Sequence, residues 1–439
     1  MPFVIPNMEY RERAPGQLVG PEALVLRLLG FWRPQQGSRN LPGILLTSIT
    51  LASLSIIPAG AAVKLCEDFP EDLEELVLCT YIFIICFGSL IKVALFIEEG
   101  GTVHELLRLL NTARSHYGSG ESSDCIRNRY KRMVDKLYRC FQVMIVPSLM
   151  FWVASPLLSS VVLKEDQENH RQLPTPIWLP ADIHSSPMYE LLYVTQSFCL
   201  VIAAEATLCL DVFFVRLMML VAAEIEVLNQ SISTINIFRS KSATLDDHIY
   251  EVGDKERSVE FDTSRSSQVA DNNSENVSGE LFSRLVKSIL HHQTILRLVS
   301  LLQTTMNTST SILLLMNMAN LCSNMFVTTG LLQRDGNLTK ATKALLTVPP
   351  ILFQTGMYCV FGQITTDQGE KLSDSAFSCG WINCDAHFRR SLLIFMTMVG
   401  RPVEITVGKT CQLSKQTLLQ VLNGTYALLN MLLQVRSTE

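Results

Sequence analysis

The residues most able to do chemistry in this 439-residue chain are the few charges inside long apolar runs: Lys92, Glu205, Asp211 and Arg216. A charge at the centre of a bilayer costs on the order of 3 kcal/mol on insertion scales, so each of them calls for a partner or a task. Glu205 lies deepest in its run. It reads as a polar group facing a cavity, a proton or cation site, or else as a carboxyl hydrogen-bonded to a neighbouring helix. Lys92 stands near the inner end of its run, from which its ammonium can snorkel to the interface. Asp211 and Arg216 read as structural partners, of each other or of the basic segments nearby. No glycine-rich phosphate loop, nucleophile elbow or carboxylate pair on one helix face is present, so no enzymatic activity is expected. The 12 cysteines have no cysteine or histidine at metal-ligand spacing, and His291 and His292 point to different sides of a helix. Neither a metal nor any other cofactor is expected.

A second pattern stands in the last apolar run. Thr425, Leu429, Leu432, Leu433 and Arg436 follow steps of three and four, which put them on one helix face. A ring of such leucines from several subunits can close a pore by dewetting; ordinary helix packing produces the same stripe.

These groups must be positioned by membrane-spanning helices. Charged residues make up 18% of the chain, where a soluble protein carries about 25%, and they cluster between apolar stretches. Crossing a bilayer takes about 20 apolar residues. Runs of that kind fall at 43–63, 76–97, 141–163, 191–221, 299–332, 343–363 and 414–435. The expected fold is an all-α membrane protein of seven transmembrane helices. Pro58, Pro147, Pro156 and the Pro349–Pro350 pair are tolerable because neighbouring helices satisfy the freed backbone groups. The fourth and fifth runs exceed one crossing, so their inner ends, near 216–236 and 282–298, should continue as helices outside the lipid.

Orientation follows from the basic residues. With the N-terminus inside, the inner segments hold 28 of the 36 lysines and arginines and the outer segments 7. The N-terminus is therefore expected in the cytosol and the C-terminus outside, the reverse of a G-protein-coupled receptor. The first residues, MPFVIPNMEYRERAP, lack the basic start and apolar run of a signal peptide. The sequon at Asn337 falls in an outer loop, where glycans are added. A net charge of −5 gives no reason to expect nucleic acid as a partner. The first outer loop, Glu67 to Glu75, is strongly acidic and reads as a solvated loop or a cation-concentrating mouth. Residues 239–280 are rich in Ser, Asp, Asn and Glu and are expected to form a disordered cytosolic insertion.

Two stretches resemble the insect odorant-receptor family. One is the lead-in Leu26-Arg27-Leu28-Leu29-Gly30-Phe31-Trp32-Arg33-Pro34. The other runs from Tyr358-Cys359-Val360-Phe361-Gly362-Gln363 through Ser373, Ser375, Trp381, Phe388-Arg389-Arg390, Arg401-Pro402 and Gly408-Lys409 to Thr425-Tyr426-Ala427-Leu428-Leu429. The resemblance implies an odorant-gated, non-selective cation channel of four subunits, with the last span of each around the pore and Leu429 and Leu433 at the gate. Partners would be a volatile odorant, olfactory co-receptor subunits and the lipid bilayer of the plasma membrane, on sensory-neuron dendrites. Co-receptors carry Gln where Leu432 stands here, which suggests a ligand-tuned subunit, although long loops like 239–280 are more typical of co-receptors.

The odorant pocket would lie in the outer half of the subunit. Its candidates are Tyr81 and Phe83, then Ser148, Phe151, Trp152 and Ser155, then Phe198 and Ile202, and finally Phe353, Gln354 and Met357. A mostly apolar site with few polar anchors suits volatile ligands. The expected organisation is a cytosolic segment 1–40, spans one to four with the pocket at 41–238, the insertion at 239–280, spans five and six at 281–363, a cytosolic helical anchor at 364–413, and the pore helix with a short outer tail at 414–439. Two other readings stay open. A gustatory receptor of the same fold ends in Thr-Tyr followed after five residues by Gln-Phe, whereas Gln434 is followed here by Val435. A secondary transporter, suggested by Glu205, would show an internal repeat, and the halves share none.

Overall fold

The computed structural model of the chain describes residues 18–32, 41–67, 73–118, 120–162, 173–175, 177–178, 186–255, 263–334, 348–401, 403–408 and 411–438. The architecture is a helical bundle. A short α1 (Pro21–Leu28) precedes α2 (Leu41–Glu67), α3 (Leu73–Glu98), α4 (Gly100–His116) and α5 (Glu121–Val162). Then come the two longest helices, α6 (Met188–Lys255) and α7 (Thr263–Arg334), followed by α8 (Val348–Phe377), α9 (Ala386–Val399) and α10 (Lys415–Thr438). All seven expected spans coincide with helices, α2, α3, α5, α6, α7, α8 and α10. Four of these, α2, α3, α5 and α6, contain windows long and apolar enough by composition alone to cross a membrane.

The sixth helix is the axis of the fold. From Ala206 to Leu228 nearly every residue is buried, as expected of a helix apolar all round and packed on every side. It contacts α1, α2, α3, α5, α7 and α8. Its 68 residues would extend about 100 Å as one helix, against a hydrocarbon core of about 30 Å, so it must project far beyond the lipid.

Within the segment 239–280, α6 continues to Lys255 and α7 begins at Thr263, while 256–262 lie outside the described residues. The composition offers no apolar surface to bury. A helix already nucleated by packing, however, adds residues at little cost, because nucleation is the expensive step.

Two family-like glycines have local physical reasons. A Cβ at Gly362 would sit 2.6 Å from the Leu413 Cβ and 2.7 Å from its carbonyl oxygen, so only glycine lets α8 approach the segment leading into α10 this closely. Gly408 turns the hairpin between β1 (Thr406–Val407) and β2 (Cys411–Gln412) with φ 64°. Its amide donates to Asn307 Oδ1 at 2.7 Å, tying the hairpin to α7.

Candidate functional site

Three of the pocket candidates come together. Tyr81 and Phe83 from α3 and Trp152 from α5 all pack on one apolar cluster of Ile57, Ala61, Cys79, Ile82, Cys86, Ile177 and Cys199. Ile177 belongs to the α5–α6 connection, whose described part is strapped across this end of the bundle. Trp152 Nε1 donates to the Pro174 carbonyl at 3.1 Å, and the Trp178 amide to the Gly60 carbonyl at 3.1 Å. The Thr175 amide and hydroxyl both reach Gln196 Oε1, at 3.2 and 3.0 Å.

The other candidates scatter. Ser148 is exposed on α5, and Phe198 is 59% exposed on α6, facing away from the cluster. Ile202 and Met357 are buried in the main core, and Phe353 packs on that core and edge-on against Phe141, with ring centroids 4.6 Å apart. The backbone at Phe151 and Ser155 is helical, but their side chains lie outside the described residues.

Gln354 leads to a feature that charge-spotting alone does not find. Its amide donates to Asp211 Oδ2 at 2.5 Å, and its carbonyl accepts from Asn317 Nδ2 at 3.1 Å. Asp211 also receives Lys92 Nζ at 2.6 Å and the Tyr358 hydroxyl at 2.7 Å, while Asn317 donates to Thr355 Oγ1 at 3.0 Å. Helices α3, α6, α7 and α8 are thus joined through one buried network. Lys92 is therefore not a snorkelling residue: its ammonium is buried against Asp211. Arg216 pairs with Glu22 of α1 and Asp135 of α5 rather than with Asp211. A buried ion pair persists only with such full hydrogen bonding, because removing both charges from water is costly. Glu205 is half-buried and accepts from Gln142 Nε2 at 3.0 Å, the interhelical carboxyl reading. Asn317 and Tyr358 were missed, though an amide at membrane depth is a usable signal.

At the opposite end of the bundle a third network forms around Glu224, which is fully buried. It accepts from Arg114 Nε at 2.8 Å, from Arg127 Nε at 3.0 Å and from Arg127 Nη2 at 2.8 Å, and His291 Nε2 lies 3.7 Å away. Burial alone would raise this carboxyl. The His291 imidazole and the Arg127 and Arg114 guanidiniums outweigh burial and hold it at about 2.

In α10, Thr425 is buried within the protomer, with its hydroxyl on the Val421 carbonyl at 2.8 Å, and Leu429 is half-buried. Leu419, Leu422, Tyr426, Leu428 and Met431 are exposed. The side chains of Leu432 and Leu433, and all of Asn337, lie outside the described residues. Among the described residues no group of three or more His, Cys, Asp or Glu could hold a metal ion.

The family model of the 7tm odorant receptors matches residues 72–426. The chain belongs to the odorant receptor family. It is thus a receptor of the membrane, not an enzyme. It is 20% identical over 429 residues to Odorant receptor Or1 of Anopheles gambiae, covering 95% of each chain. To Odorant receptor 19a of Drosophila melanogaster it is 25% identical over 155 residues, 35% of this chain; the match spans only 39% of that relative's length. The fold of this odorant receptor matches that of the insect olfactory receptor OR5 from Machilis hrabei, solved in complex with eugenol. The TM-score is 0.72 at 16% identity, over 94% of this chain and 97% of that one.

Proposed function

We propose that this odorant receptor is the ligand-tuned subunit of an odorant-gated, non-selective cation channel, assembled with an olfactory co-receptor as a tetramer. It would cross the plasma membrane of sensory-neuron dendrites seven times, with the N-terminus in the cytosol, the C-terminus and a glycan on Asn337 outside, and residues 364–413 in a cytosolic anchor. Leu429, Leu432 and Leu433 would line the pore, and Thr425 would support them from the protomer side.

The observation that carries the reading is the convergence of Tyr81, Phe83 and Trp152 on one apolar cluster under a strapped connection. Aromatic walls with a few polar groups are what a small volatile molecule needs. That the Machilis hrabei receptor was solved with eugenol supports a ligand of this class. The exposed apolar residues of α10 support an assembly in which that helix meets other subunits. Gating is then a population shift: the odorant binds the open arrangement more tightly, and its differential affinity limits how far the equilibrium moves.

Whole-cell current under a broad panel of volatiles, recorded with and without a co-receptor, tests this. Odorant-evoked cation current only with the co-receptor is expected. Current without it would make the chain a self-sufficient homotetramer, and no current despite protein at the surface would end the channel reading.

A further inference from the structure

The buried amide of Gln196, on the helix face that carries Cys199 and Leu200, has half of its hydrogen-bonding capacity unused among the described residues. Gln196 is 2% exposed and stands on α6 three and four residues before Cys199 and Leu200. Those spacings share a helix face, and both residues pack in or on the cluster that holds Tyr81, Phe83 and Trp152. The orientation of the amide is fixed by chemistry. A backbone N–H can only donate, so the atom facing the Thr175 amide at 3.2 Å must be Oε1. The Thr175 hydroxyl adds a second bond to the same oxygen at 3.0 Å. Nε2 is then buried with two N–H groups and no hydrogen-bond partner among the described residues.

A buried amide donor without an acceptor is destabilising, and inside a membrane there is little water to satisfy it. Native proteins keep few such groups, and each asks for an explanation. An incoming acceptor supplies one here. The surroundings are apolar and aromatic, so the acceptor should be the oxygen of a small, otherwise hydrophobic molecule.

We infer that Gln196 is the polar anchor of the pocket: its Nε2–H donates to the oxygen of a volatile ketone, ester, aldehyde or alcohol, while its Oε1 holds the Thr175 strap. This rests on the pocket reading above and adds to it a ligand class and a residue that selects it. Chain-length discrimination in an apolar pocket is modest. A site built to hydrogen-bond an oxygen rejects the analogue lacking it far more strongly, because the protein's donor is then left unpaired.

The test is a dose–response series on the co-expressed receptor. The probes are methyl ketones, acetate esters and primary alcohols of graded length, each paired with the alkane lacking the oxygen. Gln196→Met keeps side-chain length and removes both the donor and the oxygen that holds the strap. The EC50 for active ketones and esters should rise about tenfold more than that of the paired alkanes, whose shift reports the loosened strap alone. Thr175→Val loosens the strap alone and should move oxygenated and plain ligands by the same factor. If Gln196→Met does not reach the surface, Gln196→Asn replaces it, since the shorter amide cannot span both partners. Wild-type potency for ketones and esters in the variant, an equal loss for the alkanes, or a wild type that answers only alkanes would each overturn the anchor while leaving the pocket intact. A wild type at the surface but silent to the whole panel would overturn both.

Discussion

The two ends of the bundle are held by different physics. At the end read as cytosolic, buried ions lock helices together: Glu224 to Arg114 and Arg127, and Arg216 to Glu22 and Asp135. At the end read as extracellular, a small apolar cluster is closed by a connection whose described part is held by Gly60, Trp152 and Gln196 of the flanking helices. Ion networks have one good geometry and resist repacking. Small apolar clusters under a strap open at low cost, and binding elements are drawn from such low-stability regions. On the function proposed above, folding and anchoring fall to one end and adaptable recognition to the other, with the Lys92–Asp211 network between them.

The largest expected effect lies at the ionic end. Glu224→Ala leaves two arginines facing each other in a buried site, which should cost about 3–5 kcal/mol. Thermal unfolding of the detergent-solubilised protein should show it as a large fall in Tm or loss of folded material. A wild-type Tm would mean that the network holds nothing together.

Lys92→Met strands the Asp211 carboxylate with, among the described residues, the Tyr358 hydroxyl and the Gln354 amide as its donors, at a cost of about 3 kcal/mol. Adding Asp211→Asn should recover much of that loss, because no unpaired charge then remains. Equal Tm values for single and double variants would show that the two groups do not interact.

Acid should weaken the ionic end first. Burial, and then the charge of neighbouring His291, depress His292 from the usual 6.5 to about 4. Between those values the unfolded chain takes up a proton that the folded one declines, so stability falls as pH drops from 6.5 toward 4. Replacing His292, which lies edge-on to Phe395 with centroids 5.4 Å apart, by Gln should flatten this part of the Tm–pH curve. An unchanged slope would place the acid sensitivity elsewhere.

The smallest effect concerns the gate. Leu429→Ala should raise the ligand-free current modestly without changing Tm, because a narrower apolar side chain makes dewetting less complete. Silence at normal surface expression would count against Leu429 as a pore-lining residue.

How much of this was legible in the sequence depends on which physics encodes it. The spans were legible because a run of about 20 apolar residues is required by bilayer thickness, and prolines at 58, 147 and 156 did not disguise it. Which side of a span faces protein was not legible, because lipid-facing and core-facing residues are equally apolar. Phe198, a pocket candidate by type, is exposed, whereas Gln196 and Cys199 of the same helix are buried, a difference that composition does not carry. The partner of Asp211 was not legible either. Lys92 is 119 positions away in the chain, and only the packing of α3 on α6 brings it near. Helix through most of 239–280 could not be read from composition, since it depends on the packed helices it extends.

The most direct test of the division between the two ends is the dose–response of Trp152→Ala to the most potent volatile of the panel, at surface expression matched to wild type. The tryptophan is both a wall of the apolar cluster and the clasp on Pro174. The account predicts an EC50 raised about tenfold or more, with a Tm that moves far less than in Glu224→Ala. An unchanged EC50, or a Tm loss as large as that of Glu224→Ala, would contradict it.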